Sequence, residues 1–379
     1  MRYGVSDKLA LKVAMFGWEY PPHVVGGLGV HSAELTRRLV SYGVEVDFYK
    51  PKIDGSPTDK HIRFVEILLG GAVTPDTYTL KDFNSAVTEY NTKLIEEFDP
   101  TGVSIIHCHD WIAAEAAVEL SRRYGIPLVS TVHSTELDRS AFFYPQKWIM
   151  DIERTLIHNS TRVITVSKHE REMIRRYYGR SDIRVVYNGF NPLPLVKSDY
   201  SKHNRVVFIG RVTAQKGPIF LVRAAKRFCE ETGGEVVFCG TGSSDFEVRA
   251  EAARLGLEGR VRLLGYVDNH EMGYWLTQSD AYVLPAVSEP FGITVLEAMG
   301  AGLPAIVSKT TGVAEELFNV LRFDYWDTDE LADLMIAVTQ SRGLRFTLGL
   351  LGRVETSKFS WSRCAEETYA VYKEVVAGG

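Results

Sequence analysis

Short runs of β-branched and apolar residues alternate along the whole chain with longer segments whose apolar positions recur three and four apart. In the first half the short runs are Lys12–Gly17, Val44–Tyr49, Val103–His107, Leu128–Val132, Arg162–Val166 and Ile183–Tyr187. Helical periodicity occupies Ser32–Ser41, Ile112–Tyr124 and His169–Tyr178 between them. A two-residue period giving way to a period near 3.6 marks a strand followed by a helix. Repeated alternation of this kind predicts parallel sheets covered by helices on both faces, because parallel strands are joined by long crossovers.

The pattern restarts in the second half with Arg205–Ile209, Glu235–Cys239, Val261–Leu264, Ala281–Leu284 and Pro304–Val307. Between the halves, Asn188–Asn204 holds two prolines and several polar residues without periodicity, the composition of an interdomain linker. The final segment, Trp361–Val375, reads as a helix with no strand after it. The predicted organisation is an α/β chain of three parts: a Rossmann-like domain over 1–195, a second over 196–358, and a terminal helix over 359–379. In sheets of this class, ligands sit at the carboxyl ends of the strands.

Composition narrows the functional classes. A length of 379 residues suits two domains of roughly 100–200 residues each. The 43 basic and 48 acidic residues give a net charge of −5 without a long block of either sign, which argues against a nucleic-acid partner. No apolar run approaches the roughly 18 residues of a membrane-spanning helix, and the first residues lack the basic, apolar, small-residue order of a secretory signal. The expectation is a cytoplasmic protein that is not integral to a membrane. Cys108, Cys229, Cys239 and Cys364 form no Cys-x-x-Cys pair and read as structural thiols.

Four places could carry chemistry. Gly26 and Gly27 (VGGLGVH) fall between the first strand and a helix, where missing Cβ atoms let backbone N–H groups approach a phosphate; a plain tight turn is the competing reading. Arg211 and Lys216 (GRVTAQKG) follow a strand and precede a helix, a cationic pair suited to a diphosphate, unless the loop is simply solvated. In SEPFGITVLEA, Glu289 precedes a turn, and Gly292, Ile293 and Thr294 open a helix whose free N–H groups face the strand ends. Glu297 lies eight residues after Glu289, so the two carboxylates can hold vicinal hydroxyls at opposite ends of one molecule; alone, either reads as a solvated side chain.

The histidines complete the set. His133 (STVHSTE) ends a strand, a position that a structural histidine also takes. His107 and His109 (HCHDW) have strand-like His-x-His spacing, but no distant His or Cys cluster joins them in the sequence. They are therefore given hydrogen-bonding roles with no metal, and Asp110 is placed in a ligand pocket.

Taken in chain order, WEYPPHVVGGLGVH, HCHDW, TVHSTE, GRVTAQKG and SEPFGITVLEAMGAGLPAI resemble the retaining nucleotide-sugar glycosyltransferases of family 4, and more distantly the glycogen and starch synthases of family 5. The resemblance spans nearly the whole chain, and its most specific element is the Glu-x7-Glu pattern of Glu289 and Glu297. It implies the GT-B architecture: two Rossmann-like domains facing a central cleft, with a C-terminal helix crossing back to the first. By motif, Gly26 and Gly27 would bring amides to the diphosphate and acceptor side, and Arg211 and Lys216 would neutralise the diphosphate. His133 would contact the donor sugar near its 6-hydroxyl, and Asp110 would line the acceptor or sugar pocket. Glu289 would hold the sugar hydroxyls and Glu297 the ribose. One departure is that His23, Val24 and Val25 stand where glycogen synthases carry a lysine before the Gly-Gly pair, which favours family 4.

The implied reaction is transfer of a hexosyl group, glucosyl in the first place, from ADP-glucose or UDP-glucose to a sugar or glucan acceptor, with no cofactor. Its demand is to stabilise a diphosphate leaving group beside an oxocarbenium-like sugar, for which Arg211, Lys216 and the helix amides at Gly292, Ile293 and Thr294 supply aimed positive charge. The chain is read as lacking an Asp-x-Asp cluster, and no metal is called for. Because the family retains anomeric configuration, attack from the leaving-group face is favoured over a covalent route. Two alternatives stay open: a GT-B enzyme of another type, such as a nucleotide-sugar epimerase, and a nucleotide-sugar binding protein without turnover.

Overall fold

The computed structural model describes residues 11–24, 26–53, 55, 57–70, 83–193 and 199–378. The chain divides into two compact units: Met1–Glu136, Gln146–Gly189 and Ser360–Gly379 form the first, and Leu137–Pro145 with Phe190–Phe359 the second. The sequence-drawn boundary between 195 and 196 falls in residues 194–198, outside the described residues.

The first unit is built on a seven-stranded sheet of β1 (Leu11–Phe16), β2 (Val44–Pro51), β3 (Arg63–Ile67), β4 (Ile105–His109), β5 (Leu128–Val132), β6 (Arg162–Thr165) and β7 (Ile183–Val185). Its spatial order is β3-β2-β1-β4-β5-β6-β7, and every pairing is parallel. β4 and β5 are buried along their whole length, which is why they read as apolar runs instead of alternating patterns. β4 begins two residues later than the Val103–His107 pattern suggests, because Val103 closes a turn onto the Pro100 carbonyl at 3.1 Å.

The second unit carries a six-stranded parallel sheet of β8 (Arg205–Ile209), β9 (Glu235–Cys239), β10 (Val261–Gly265), β11 (Ala281–Leu284), β12 (Ala305–Ser308) and β13 (Leu321–Phe323), ordered β10-β9-β8-β11-β12-β13. β12 starts after Pro304, which has no N–H for the ladder and contributes only its carbonyl, to the Tyr282 N–H at 2.9 Å. Both sheets therefore have the Rossmann strand order, which reverses between β1 and β4 and again between β8 and β11. The loops that carry ligands in such sheets are those at these two reversals.

The terminal helix Trp361–Ala377 belongs to the first unit and packs against helix Gly27–Ser41. Tyr42 and Tyr369 stack with centroids 5.2 Å apart, and Trp361 is buried. Among the described residues, no helix is long and apolar enough to cross a membrane. All four cysteines are free and buried, as their apolar surroundings in the sequence suggest.

Candidate active site

In the second unit, the loops after β8 and β11 are tied to each other by backbone: the Gln215 carbonyl accepts the Val287 N–H at 2.9 Å and the Ser288 N–H at 3.4 Å. The β8 loop ends in a short helical turn, Ala214–Lys216, and then Gly217 in the left-handed region with φ 63°. A Cβ at Gly217 would lie 2.1 Å from the Pro285 carbonyl oxygen, so glycine alone lets the two loops come this close. That contact holds Lys216 beside Glu289, and their side chains form an ion pair at 17% and 10% exposure.

Glu289 is fixed from both directions. Its N–H donates to the Thr310 carbonyl at 3.1 Å, its carbonyl accepts the Gly312 N–H at 2.7 Å, and its Oε1 accepts the Phe291 N–H at 3.4 Å. The neighbouring Ser288 donates its hydroxyl to the buried Asp138 carboxylate at 2.5 Å. Helix Ile293–Gly300 then opens from Gly292 at φ 101°, without a side-chain cap and without an acidic residue in its first turn. Among the described residues, the N–H groups of Ile293 and Thr294 have no acceptor, so this positive helix end is open to an anion. The Thr294 hydroxyl is held by Tyr282 at 2.7 Å.

Arg211 is exposed and has no ion pair among the described residues. Glu297, one turn into the same helix, has its carboxyl pushed up to about 7 by burial. The second unit thus gathers Arg211, Lys216, Glu289, Gly292, Ile293, Thr294 and Glu297 on the elements that follow β8 and β11. Sequence reasoning missed two further parts. Asp138 lies far from Ser288 in the chain, with no periodic signal to link them. The Gly240-Thr241-Gly242 turn after β9 crosses the β8 loop, with the Thr241 carbonyl accepting the Val212 N–H at 2.9 Å; a Gly-x-Gly directly after a strand was its visible signal. The reading that the chain lacks an Asp-x-Asp cluster is corrected by Asp327 and Asp329. There Asp327 caps helix Thr328–Gln340, accepting the Glu330 N–H at 2.8 Å.

In the first unit, Gly26 is extended (φ −159°), and a side chain there would meet nothing within 4 Å. Among the described residues, neither its backbone conformation nor its packing requires glycine. Its N–H is donated to Glu19 Oε2 at 3.2 Å, and Gly27 is the first residue of helix Gly27–Ser41. Val25 lies outside the described residues.

Asp110 takes a left-handed conformation (φ 55°) at the end of β4 and is buried. Its Oδ1 accepts the His133 N–H at 2.7 Å and the Ser134 N–H at 3.5 Å, so the carboxylate holds the turn after β5 and sets where His133 stands. The sequence reading that no third histidine joins His107 and His109 is also corrected. The fold brings in His31 from helix Gly27–Ser41 and His133 from the end of β5. His109 Nδ1 lies 3.0 Å from His133 Nε2, and the His31 and His133 rings have centroids 4.4 Å apart. His107 bonds Tyr372 at 2.6 Å and Thr131 at 2.8 Å, the hydrogen-bonding role expected of it. Burial lowers His31 to about 4 and His107 to about 3, and holds His109 and His133 well below the ordinary histidine range. All four rings are therefore neutral at pH 7.

The geometry can be compared with known proteins. Residues 25–192 match the family model Glycosyltransferase Family 4, and residues 196–341 match Glycosyl transferases group 1. A Methanocaldococcus jannaschii protein described as an uncharacterized glycosyltransferase is 30% identical, over 96% of this chain and 98% of its own length. An α-maltose-1-phosphate synthase of Mycolicibacterium smegmatis is 28% identical over 97% of this chain and 100% of its own. Among solved structures, a sucrose-phosphate synthase from Thermosynechococcus elongatus superposes with a TM-score of 0.83 at 20% identity, covering 97% of this chain and all (100%) of the other. Two Rossmann-ordered units, each matching its own glycosyltransferase model and together sharing 30% identity with a full-length relative, place this chain in the GT-B glycosyltransferases.

Proposed function

We propose that this enzyme moves a hexosyl group, glucosyl in the first place, from a nucleoside-diphosphate sugar to a sugar or glucan acceptor with retention of anomeric configuration. The observation that carries this reading is the arrangement after β8 and β11, where Lys216 and Glu289 pair beside the open N-terminus of helix Ile293–Gly300. An anion at that helix end meets the Ile293 and Thr294 amides, the Lys216 ammonium and the exposed Arg211 fork. Such a set stabilises charge that grows on a departing diphosphate, and it does so without moving, because backbone ties already position it. Glu289 is then placed to accept from sugar hydroxyls and Glu297 from the ribose. Asp110 supports the His133 loop, and His133, neutral, serves a hydroxyl of the donor sugar.

ADP-glucose and UDP-glucose are the first donors to test. A relative named for making α-maltose 1-phosphate and a fold neighbour named for making sucrose phosphate add sugar phosphates to the acceptors worth testing. Four buried free thiols fit a reducing compartment, and we place the enzyme in the cytoplasm. The test is incubation with ADP-glucose, UDP-glucose and GDP-mannose, with and without glucose, maltose, glucose 1-phosphate or glycogen. Release of nucleoside diphosphate that requires an acceptor is expected with at least one pair. Conversion of donor without acceptor would mark an epimerase, and binding without any product a non-catalytic protein.

The raised Glu297 carboxyl gives a pH signature. A carboxylate accepts two hydroxyl hydrogen bonds, whereas the protonated acid gives up part of that capacity. With its carboxyl near 7, the side chain is largely ionised at pH 8 and largely protonated at pH 6. Donor KM should therefore rise as pH falls from 8 to 6, and Glu297→Gln should raise KM at pH 8 and flatten the profile. An unchanged KM and profile in Glu297→Gln would remove the ribose role.

A further inference from the structure

We propose that His31, His109 and His133 form a binding site for one borderline-soft divalent cation, with Zn2+ the preferred ion. Each ring offers one nitrogen, and the three nitrogens lie within 4.8 Å of one another. A tetrahedral zinc ion with bonds of about 2.0–2.1 Å asks for nitrogens roughly 3.4 Å apart, so ring adjustments on the order of 1 Å close the site. His31 and His133 are in edge contact at 4.4 Å and His109 stacks on His133 at 5.3 Å, so the three rings are mutual neighbours.

Two independent observations point to a ligand there. The Nε2 atoms of His31 and His109 are buried and lack any hydrogen-bond partner, a costly state in a folded core. In addition, His31 Nδ1 lies 2.7 Å from Asn188 Oδ1, which can only accept. The ring hydrogen must then sit on Nδ1, and Nε2 presents a bare lone pair. This is the arrangement in which a second-shell acceptor orients a metal-binding histidine. With His109 Nδ1 donating to His133 Nε2 at 3.0 Å, His109 Nε2 keeps a bare lone pair, and a cation that takes the His133 nitrogen replaces this one hydrogen bond. An all-nitrogen set selects zinc, copper, nickel or cobalt over magnesium or calcium. Three protein ligands also leave one coordination position open.

One consequence rests on the proposed function: a cation here takes the His133 ring that would otherwise serve the donor sugar, so metal and donor compete. The test begins with metal-free protein titrated with Co2+, followed by displacement with Zn2+. A single saturable equivalent with the intense visible bands of tetrahedral cobalt is expected. His31→Gln, His109→Gln and Asn188→Ala should each weaken binding by about tenfold or more. His61→Ala, an exposed histidine elsewhere in the first unit, should leave it unchanged. Absence of a saturable equivalent, or unaltered affinity in folded His31→Gln and His109→Gln variants, would overturn the site. If cobalt binds as expected but Zn2+ leaves donor KM unmoved, the site stands and the sugar role of His133 falls.

Discussion

Replacing Lys216 by alanine is expected to lower kcat by about a hundredfold or more while the protein stays folded, and Glu289→Gln is expected to do the same. Lys216 is presented by a turn that Gly217 locks, and its ammonium lies against the Glu289 carboxylate beside the uncapped helix Ile293–Gly300. A diphosphate placed there gains charge as its bond to the sugar breaks, so a cation at that point stabilises the transition state more than the ground state. In the proposed reaction Glu289 would act on the other side of the same event, holding the sugar whose ring carries the opposite charge. The competing account is that the pair is a structural salt bridge between two loops. On that account each single change leaves a partly buried charge unpaired, and the double change to Lys216→Met with Glu289→Gln relieves it. Steady-state kinetics of both single variants and the double variant separates the two. Recovery of activity in the double variant would identify a structural bridge, whereas continued loss of a hundredfold or more supports roles in catalysis.

Gly217→Ala should have the other large effect, on stability and activity together. The backbone at φ 63° costs a side-chain-bearing residue about 1–3 kcal/mol. The added methyl would also stand 2.1 Å from the Pro285 carbonyl, and relieving such overpacking costs a further 1–3 kcal/mol or so. The β8 and β11 loops must separate, taking Lys216 away from Glu289. Urea unfolding should show a loss of about 2–6 kcal/mol in the second unit, and activity should fall with it. A variant with native stability and native rates would show that the two loops need not touch.

Much of the fold can be read from the chain because buried parallel strands announce themselves as apolar runs. β5, β8, β9 and β11 lie where those runs place them, residue for residue. β3 and β13 escaped notice, although the other two edge strands, β7 and β10, did not. β3 carries Arg63 and Glu66, which pair with Asp47 and Lys50 of β2 at 2.9 and 3.1 Å and break the apolar pattern. The candidate site was legible where its residues sit in one contiguous motif, as in GRVTAQKG and SEPFGITVLEA. It was illegible where tertiary contact assembles it. His31 reads as one more helix residue until β4 and β5 bring His109 and His133 against it. Asp110 reads as a pocket acid, and nothing in the sequence shows that its carboxylate also holds the backbone of residues 133 and 134. The supports of the site, Asp138 under Ser288 and Asn188 behind His31, leave no local pattern at all.

The central claim is sugar transfer from a nucleotide donor with retention. Its most direct test follows one reaction by proton NMR, with an α-linked nucleoside-diphosphate glucose and the best acceptor from the donor and acceptor panel. The account predicts one nucleoside diphosphate released for each new glycosidic bond, with the first-formed product in the α configuration. A β-linked product, or diphosphate release without any glycoside, would contradict it.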